Sequence, residues 1–198
     1  MTLRNTADRW GAVSQSLHWL IVLLILGQGT VGLLMGEMRN GPDKIQVYAL
    51  HKSFGLTILA LVVLRLLWRL VAGRPAPVAG TPAWQERMAR LTHGLLYLLL
   101  LAMPLSGWLF NSAAGFPLQW FWTFNLPAIA GQDQGLRELA GDTHQLLFWT
   151  LVAVATVHAA AAFYHHLFLR DATLARMLPP GWLHTGTLPT SKEPHDAT

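Results

Sequence analysis

Five histidines fall within or beside long apolar stretches of the sequence, and their chemistry is the first feature to explain. They are His18, His51, His93, His144 and His158. Ionisable side chains are costly in stretches that cross a membrane, so they are functional candidates by default. An imidazole can bind a metal through one ring nitrogen, transfer a proton, or hydrogen-bond a neighbouring helix. The spacing of these histidines indicates which role fits best.

Two of the histidines, His144 and His158, are fourteen residues apart in the last apolar stretch. On an α-helix this spacing gives a separation of roughly 21 Å along the axis and a rotation about 40° short of four full turns. Both rings therefore face the same side of the helix at two different depths. His51 shares the depth of His144, and His18 shares that of His158, so the chain supplies one histidine pair near each side of a membrane.

The elements that must position these histidines are predicted to be four transmembrane helices. Apolar residues make up 53% of the chain and charged residues only 12%, against about 25% charged residues in soluble domains. A span needs about 20 apolar residues. The apolar, nearly charge-free stretches predict helices near 15–36, 51–71, 91–111 and 143–169. We therefore expect an all-α, integral membrane four-helix bundle over residues 1–178 and an irregular cytoplasmic tail over 179–198.

The basic residues indicate how the bundle is oriented. They cluster before helix 1, around the connection between helices 2 and 3, and after helix 4: Arg4, Arg9, Arg65, Arg69, Arg74, Arg87, Arg90, Arg170 and Arg176. The positive-inside rule then places both termini and that connection in the cytoplasm. The first span lacks a small-residue cleavage site at its end, so we expect it to stay in the mature protein. The aromatic residues between 116 and 124 favour a segment lying on the outer face of the membrane.

The composition also excludes several kinds of chemistry. The chain contains no cysteine, which rules out disulfides, thiolate ligands, iron–sulfur clusters and covalently attached haem. The net charge is +4 without a basic patch, so nucleic acid is not expected as a partner. A zinc or copper site would need carboxylates, sulfur or three converging ligands. The predicted spans hold no Asp or Glu, which argues against a metal or proton transporter.

The two histidine pairs are best explained by haem. Imidazoles from two facing helices can bind the iron of a flat macrocycle from opposite sides, and four-helix bundles build cofactor sites in this way. We predict two b-type haems, one held by His18 and His158 near the cytoplasm and one held by His51 and His144 near the periplasm. Arg65 lies at cytoplasmic depth, where its guanidinium could make charge-assisted hydrogen bonds to haem propionates.

Several neighbouring residues have roles that the sequence leaves open. Lys52, beside His51, could contact the propionates of the outer haem. His93 either hydrogen-bonds a propionate or a quinone, or caps helix 3. His165 lies seven residues after His158. It either contacts a substrate at the inner face or acts as a polar anchor at the membrane–water interface. The role of His166 is open. Small residues beside the ligands either clear space for the macrocycle or allow close helix packing.

Five stretches of the chain together resemble the prokaryotic cytochrome b561 family. They are SLHWL at 16–20, HKSFG at 51–55, VLRLLWRL at 63–70, HAAAAFYHH at 158–166 and RDATLARMLP at 170–179. The likeness extends from about residue 5 to 180. It implies a multi-pass protein of the bacterial inner membrane with two non-covalent b haems, with the same ligand pairs as above. It also implies electron exchange with a ubiquinone-type quinone, for which His165 is the candidate contact, and in some members the oxidation of superoxide.

Three function hypotheses follow from these observations. The first is transmembrane electron transfer between two haems and the quinone pool, either as an electron carrier or as a superoxide:ubiquinone oxidoreductase. Arg137 and Lys44 in the outer loops could attract an anionic donor such as superoxide. The second is a cytochrome b subunit serving a partner dehydrogenase or hydrogenase, although no large docking extension is apparent. The third is a haem-free histidine-based cation transporter. The direction of electron flow and a homo-oligomeric state stay open.

Overall fold

Four long helices form the frame of the protein. The computed structural model describes residues 2–183. Helix α1 spans Ala12–Glu37, α2 spans Pro42–Ala72, α3 spans Ala83–Ala113 and α4 spans Gln134–Tyr164, and a π-helical segment, His165–Leu169, continues α4. All four are long and apolar enough to cross a membrane. The prediction of a four-helix membrane bundle is therefore confirmed.

Three of the helices begin eight or nine residues before the predicted starts. The predictions followed charge-free runs, whereas the helices include a polar first turn that extends beyond the apolar region. Helix α2 has Pro42 and Asp43 in its first turn, which suit a helix N-terminus. Helix α4 is capped by Asp133, whose carboxylate accepts a hydrogen bond from the Leu136 backbone N–H at 2.7 Å. Hydropathy therefore locates a span better than it locates the helix ends.

The packing of the helices is uneven, and this unevenness positions the histidines. Helix α1 packs on α2, α2 packs on α3, and α3 packs most extensively on α4. Within residues 2–183, α4 makes almost no close backbone contact with α1 or α2. A small core of Ile21, Ile58 and Val62 joins α1 to α2. Many other apolar side chains, such as Leu26 and Leu70, are exposed on the outside of the bundle, as expected for a surface that faces lipid.

The connection between α3 and α4 contains a small antiparallel hairpin. Strand β1, Leu118–Trp120, pairs with β2, Phe124–Leu126. The indole N–H of Trp120 donates to Thr57 Oγ1 at 3.1 Å, and the backbone N–H of Phe121 donates to Ser53 Oγ at 2.9 Å. The aromatic segment is thus a hairpin docked on α2, and its expected position on the outer membrane surface stays a prediction. These two strands were not predicted from the sequence.

The N-terminal segment, the connection between α2 and α3, and the segment after α4 meet at one end of the bundle. Arg9 donates from Nη2 to the backbone carbonyls of Ala175 and Leu178 at 2.7 and 2.6 Å. The side-chain amide of Asn5 donates to the carbonyl of Gly73 at 2.9 Å. These contacts are compatible with the predicted common side for both termini. The predicted tail over 179–198 lies mostly outside the described residues, so its irregular structure and the domain boundary stay predictions.

Candidate cofactor sites

The structure brings the four predicted ligands together as two pairs. The ring centres of His18 and His158 are 6.4 Å apart, with their planes at 86°. Those of His51 and His144 are also 6.4 Å apart, with their planes at 74°. Each metal–imidazole bond is about 2 Å long, so both separations match two imidazoles bound to opposite sides of one metal ion. The pairing predicted from depth is therefore the pairing found in space.

The gap between these rings is a consequence of how α4 packs. Helix α4 packs against α3, and its backbone stays away from those of α1 and α2. The histidine side chains of α4 therefore extend across a gap toward α1 and α2. We call His51 and His144 the outer pair and His18 and His158 the inner pair, after their predicted sides of the membrane. Two glycines border the outer pair. A Cβ on Gly32 would lie 3.4 Å from Cε1 of His51, and one on Gly107 would lie 3.1 Å from Cε1 of His144. Both glycines therefore leave room for the rings, and Gly107 was missed because it lies in an apolar run with no distinguishing signal.

Hydrogen bonds fix the ring of His144. Its Nδ1 lies 3.1 Å from the backbone carbonyl of Met103 and 2.9 Å from Oγ of Ser106. A carbonyl can only accept, so Nδ1 carries the proton and Nε2 keeps its lone pair, as a metal ligand requires. By contrast, Nδ1 of His51 is buried with no hydrogen-bond partner within residues 2–183. The sequence did not indicate Ser106 or Met103, since their role depends on how α3 packs on α4.

The inner pair lies among cationic and aromatic side chains. Arg65 donates from Nε to the Tyr97 hydroxyl at 3.0 Å and from Nη1 to the carbonyl of Ser14, one turn before His18, at 3.3 Å. Its position at the inner end agrees with the prediction, and its contact with propionates stays a prediction.

His93 also belongs to this inner group. Its ring centre is 5.2 Å from that of His158. Helix α3 begins at Ala83, so His93 lies well inside the helix and does not cap it. The capping interpretation is therefore wrong, because α3 starts about three turns before this residue.

Comparison with known proteins agrees with this arrangement. The family model described as prokaryotic cytochrome b561 matches residues 9–180. The chain belongs to the prokaryotic cytochrome b561 family. It is 34% identical over 185 residues to cytochrome b561 homolog 2 of Escherichia coli, which covers 90% of this chain and 95% of the relative.

Two further relatives cover most of the chain. A protein of Yersinia pestis named as a probable superoxide oxidase is 29% identical over 176 residues, covering 86% of this chain and 96% of its own. Cytochrome b562 of Cereibacter sphaeroides is 30% identical over 170 residues, covering 83% of this chain and 92% of the relative. The resemblance noted from the sequence motifs is thus confirmed.

Membership of the cytochrome b561 family establishes the general function. The chain is a multi-pass protein of the bacterial inner membrane and a cytochrome b that transfers electrons. The family implies b-type haem. The residues present fit that group, because two imidazole pairs face gaps of suitable width, one ligand has its proton fixed on Nδ1, and glycines border the outer rings.

The predicted quinone contact, His165, forms an ion pair at the inner end of α4. Its Nδ1 lies 2.5 Å from Oδ2 of Asp171. The π-helical segment ends at Leu169 and is followed by Arg170, whose φ of 52° is left-handed. This turn brings Asp171 back to His165. Burial alone would raise the pKa of the Asp171 carboxyl, but hydrogen bonds from Thr173 and His165 more than offset it and hold that pKa below its usual value. Such π segments are frequent at functional sites.

The predicted basic residues of the outer face are held by other contacts. Lys52 donates from Nζ to Asn111 Oδ1 and to the carbonyl of Pro117, both at 3.1 Å. Lys44 donates to the carbonyl of Met38 at 2.9 Å, at the end of α1.

Arg137 lies beside an open cavity of about 510 Å³ at the outer end of α4, next to Glu138 and Asp142. Its guanidinium lies 5.8 Å from the centre of the Phe110 ring. The charges that line this cavity are therefore mixed, and this weakens the expected attraction for anions.

Proposed function

We propose that this cytochrome transfers electrons between a donor at the periplasmic face and a quinone at the cytoplasmic face, through two b-type haems. His51 and His144 hold the outer haem, and His18 and His158 hold the inner one. The observation that carries this proposal is the equal 6.4 Å ring separation of the two pairs. Each haem supplies one-electron Fe(III)/Fe(II) cycling when bound. Both termini are cytoplasmic in this proposal.

The charged residues near each pair would orient the haems. Arg65 is anchored by Tyr97 and Ser14 near the inner pair, which keeps a fixed guanidinium available for carboxylates. Lys52 uses two of its three N–H donors on Asn111 and Pro117. It retains one donor for a propionate of the outer haem.

The inner face has the groups that a quinone needs. Reduction of a quinone to a quinol takes two electrons and two protons. Asp171 accepts the hydrogen bond from Nδ1–H of His165, which leaves Nε2 of His165 to face a quinone oxygen. In the imidazolium form of His165, Nε2–H donates a hydrogen bond to that oxygen and passes its proton to it. Water at the cytoplasmic interface would return the proton. His165 thus supplies a proton where electrons leave the protein.

Superoxide is our first candidate for the outer donor. The support is the similarity to a relative named as a probable superoxide oxidase. A single-electron, anionic donor suits a haem near the periplasmic face. The competing function is a carrier subunit for a partner dehydrogenase or hydrogenase. The haem-free cation transporter considered from the sequence is set aside, because the chain belongs to a cytochrome family.

Absorption spectroscopy and rapid mixing test these functions. Purified protein should show sharp α and Soret bands on reduction, with about two haems per chain. A preparation made with ample haem but lacking these bands would contradict the proposed two-haem pathway. In stopped-flow mixing with superoxide and ubiquinone, the protein alone should speed superoxide decay and form ubiquinol. An unchanged decay rate would leave the carrier function.

A further inference from the structure

The two ligands of the outer pair have different surroundings. Nδ1 of His144 has two partners on α3, the Met103 carbonyl at 3.1 Å and the Ser106 hydroxyl oxygen at 2.9 Å. Nδ1 of His51 is buried without a partner in the described part of the chain. The pair therefore has one imidazole whose ring proton is hydrogen-bonded and one whose ring proton is not.

The direction of each hydrogen bond follows from the acceptors. The Ser106 hydroxyl donates to the Met103 carbonyl at 2.7 Å, so its proton is already used and its lone pairs face His144. Neither the carbonyl nor this hydroxyl oxygen can then donate to the ring. The Nδ1–H group of His144 is the donor to both, and Ser106 is 8% exposed, which keeps water from competing.

A donated hydrogen bond makes an imidazole ligand more basic. A more basic axial ligand stabilises Fe(III) over Fe(II) and therefore lowers the reduction potential. Among residues 2–183, no hydrogen bond is made to a ring nitrogen of His18 or His158. Arg65 instead lies at that end, hydrogen-bonded one turn before His18. A nearby positive charge disfavours Fe(III), but Lys52 places a cation beside the outer pair as well, so the hydrogen bonds of His144 are the difference that separates the two sites.

We propose that Ser106, together with the Met103 carbonyl, is a positioning residue for His144 that holds the outer haem at a lower reduction potential than the inner haem. Electron transfer from the outer site to the inner site is then favourable. The inference rests on the haem ligands given in the proposed function. It adds that Ser106 lowers the reduction potential of the outer haem and so favours electron transfer toward the inner haem.

The test is a redox titration of the purified full-length protein, read at the α band. In the wild-type protein two midpoint potentials should be resolved. Ser106→Ala should raise the lower one, by a change of up to about tenfold in the Fe(III)/Fe(II) equilibrium, which corresponds to about 59 mV for a one-electron couple. The higher potential should not move. Ser106→Thr, which keeps the hydroxyl, should restore the wild-type value.

Ser112→Ala is the matched control. Ser112 is also a buried serine near the outer end of α3, but its hydroxyl accepts from the Ile129 backbone N–H at 3.2 Å and makes no hydrogen bond to a histidine within residues 2–183. It should leave both potentials unchanged. Should Ser106→Ala bind too little haem to titrate, Ser106→Cys, a similar-sized and weaker acceptor, should give an upward shift of smaller size.

Two results would overturn the inference. One is a fully loaded Ser106→Ala or Ser106→Cys protein with unchanged potentials, and the other is a shift of the higher potential instead of the lower. A wild-type protein that binds no haem, or one haem only, would instead refute the proposed function itself. The two failures are thus distinguished by the wild-type spectrum.

Discussion

The outer and inner histidine pairs have the same ring separation but different surroundings. The outer pair is bordered by glycines and has one ring fixed by backbone and hydroxyl oxygens. The inner pair lies among cationic and aromatic side chains, with a third histidine beside it. The difference shows that a common ligand geometry can be combined with separate means of adjusting each site. Helix α4 supplies one ligand to each pair and so links them.

The largest difference should appear when space is removed at one pair only. Gly107→Leu places a large side chain where even a Cβ would lie 3.1 Å from the His144 ring. We expect loss of most of the outer haem, so that total haem falls by about half while the inner haem keeps its spectrum. Haem extraction and protein quantification measure this.

Gly94→Leu on the same helix is the matched control. A Cβ there would meet nothing within 4 Å, so it should leave both haems bound. Equal haem loss from both variants would show that the effect is general misfolding rather than occlusion of the outer site.

A smaller effect should follow from removing charge at the inner pair. Ferric haem carries one more positive charge than ferrous haem, so Arg65→Met should stabilise the ferric form and lower the inner potential. At an effective dielectric constant of about 20, unit charges several ångströms apart interact by a few kcal/mol. For a one-electron couple about 1.4 kcal/mol corresponds to about 59 mV, so we expect a shift on the order of 100 mV. Redox titration should show it in the higher potential alone, and a shift in the lower potential would contradict the placement of Arg65.

The ion pair beyond the inner site should affect proton transfer more than electron transfer. Asp171→Asn keeps an acceptor for His165 but removes the charge. We expect ubiquinone reduction to slow by about tenfold, which is less than the roughly 10²–10⁴-fold that a general acid itself contributes, because His165 is still present, while both haem potentials stay unchanged. Unchanged quinone kinetics would exclude His165 as the proton donor.

The smallest predicted effect is a pH dependence of stability. The pKa of Asp171 in the folded protein is below its usual value, which is about 4 in unfolded chains. A lowered folded-state pKa means that the ion pair stabilises the protein at neutral pH and that this contribution is lost as pH falls through the lowered pKa. Wild-type and Asp171→Asn proteins should therefore differ in melting temperature at pH 7, and this difference should shrink as the pH falls below about 4. A difference that grows on acidification would contradict this.

The features that could be predicted from the sequence are those that depend on the pattern of neighbouring residues along the chain. Charge-free runs located the four spans, and the fourteen-residue spacing of His144 and His158 predicted two sites along one helix. What it missed depends on contacts between helices. Ser106 and Gly107 matter because α3 packs on α4, and the Asp171 contact depends on a π-helical turn. The docked hairpin had no sequence signal, because its strands are only three residues long.

The central claim is that two histidine pairs hold two separate haems, and single substitutions test it directly. Haem content and low-temperature α-band spectra should be measured for His18→Ala, His51→Ala, His144→Ala and His158→Ala. The account predicts that His51→Ala and His144→Ala lose the same spectral component, and that His18→Ala and His158→Ala lose the other. Loss of different components by His51→Ala and His144→Ala would contradict the account.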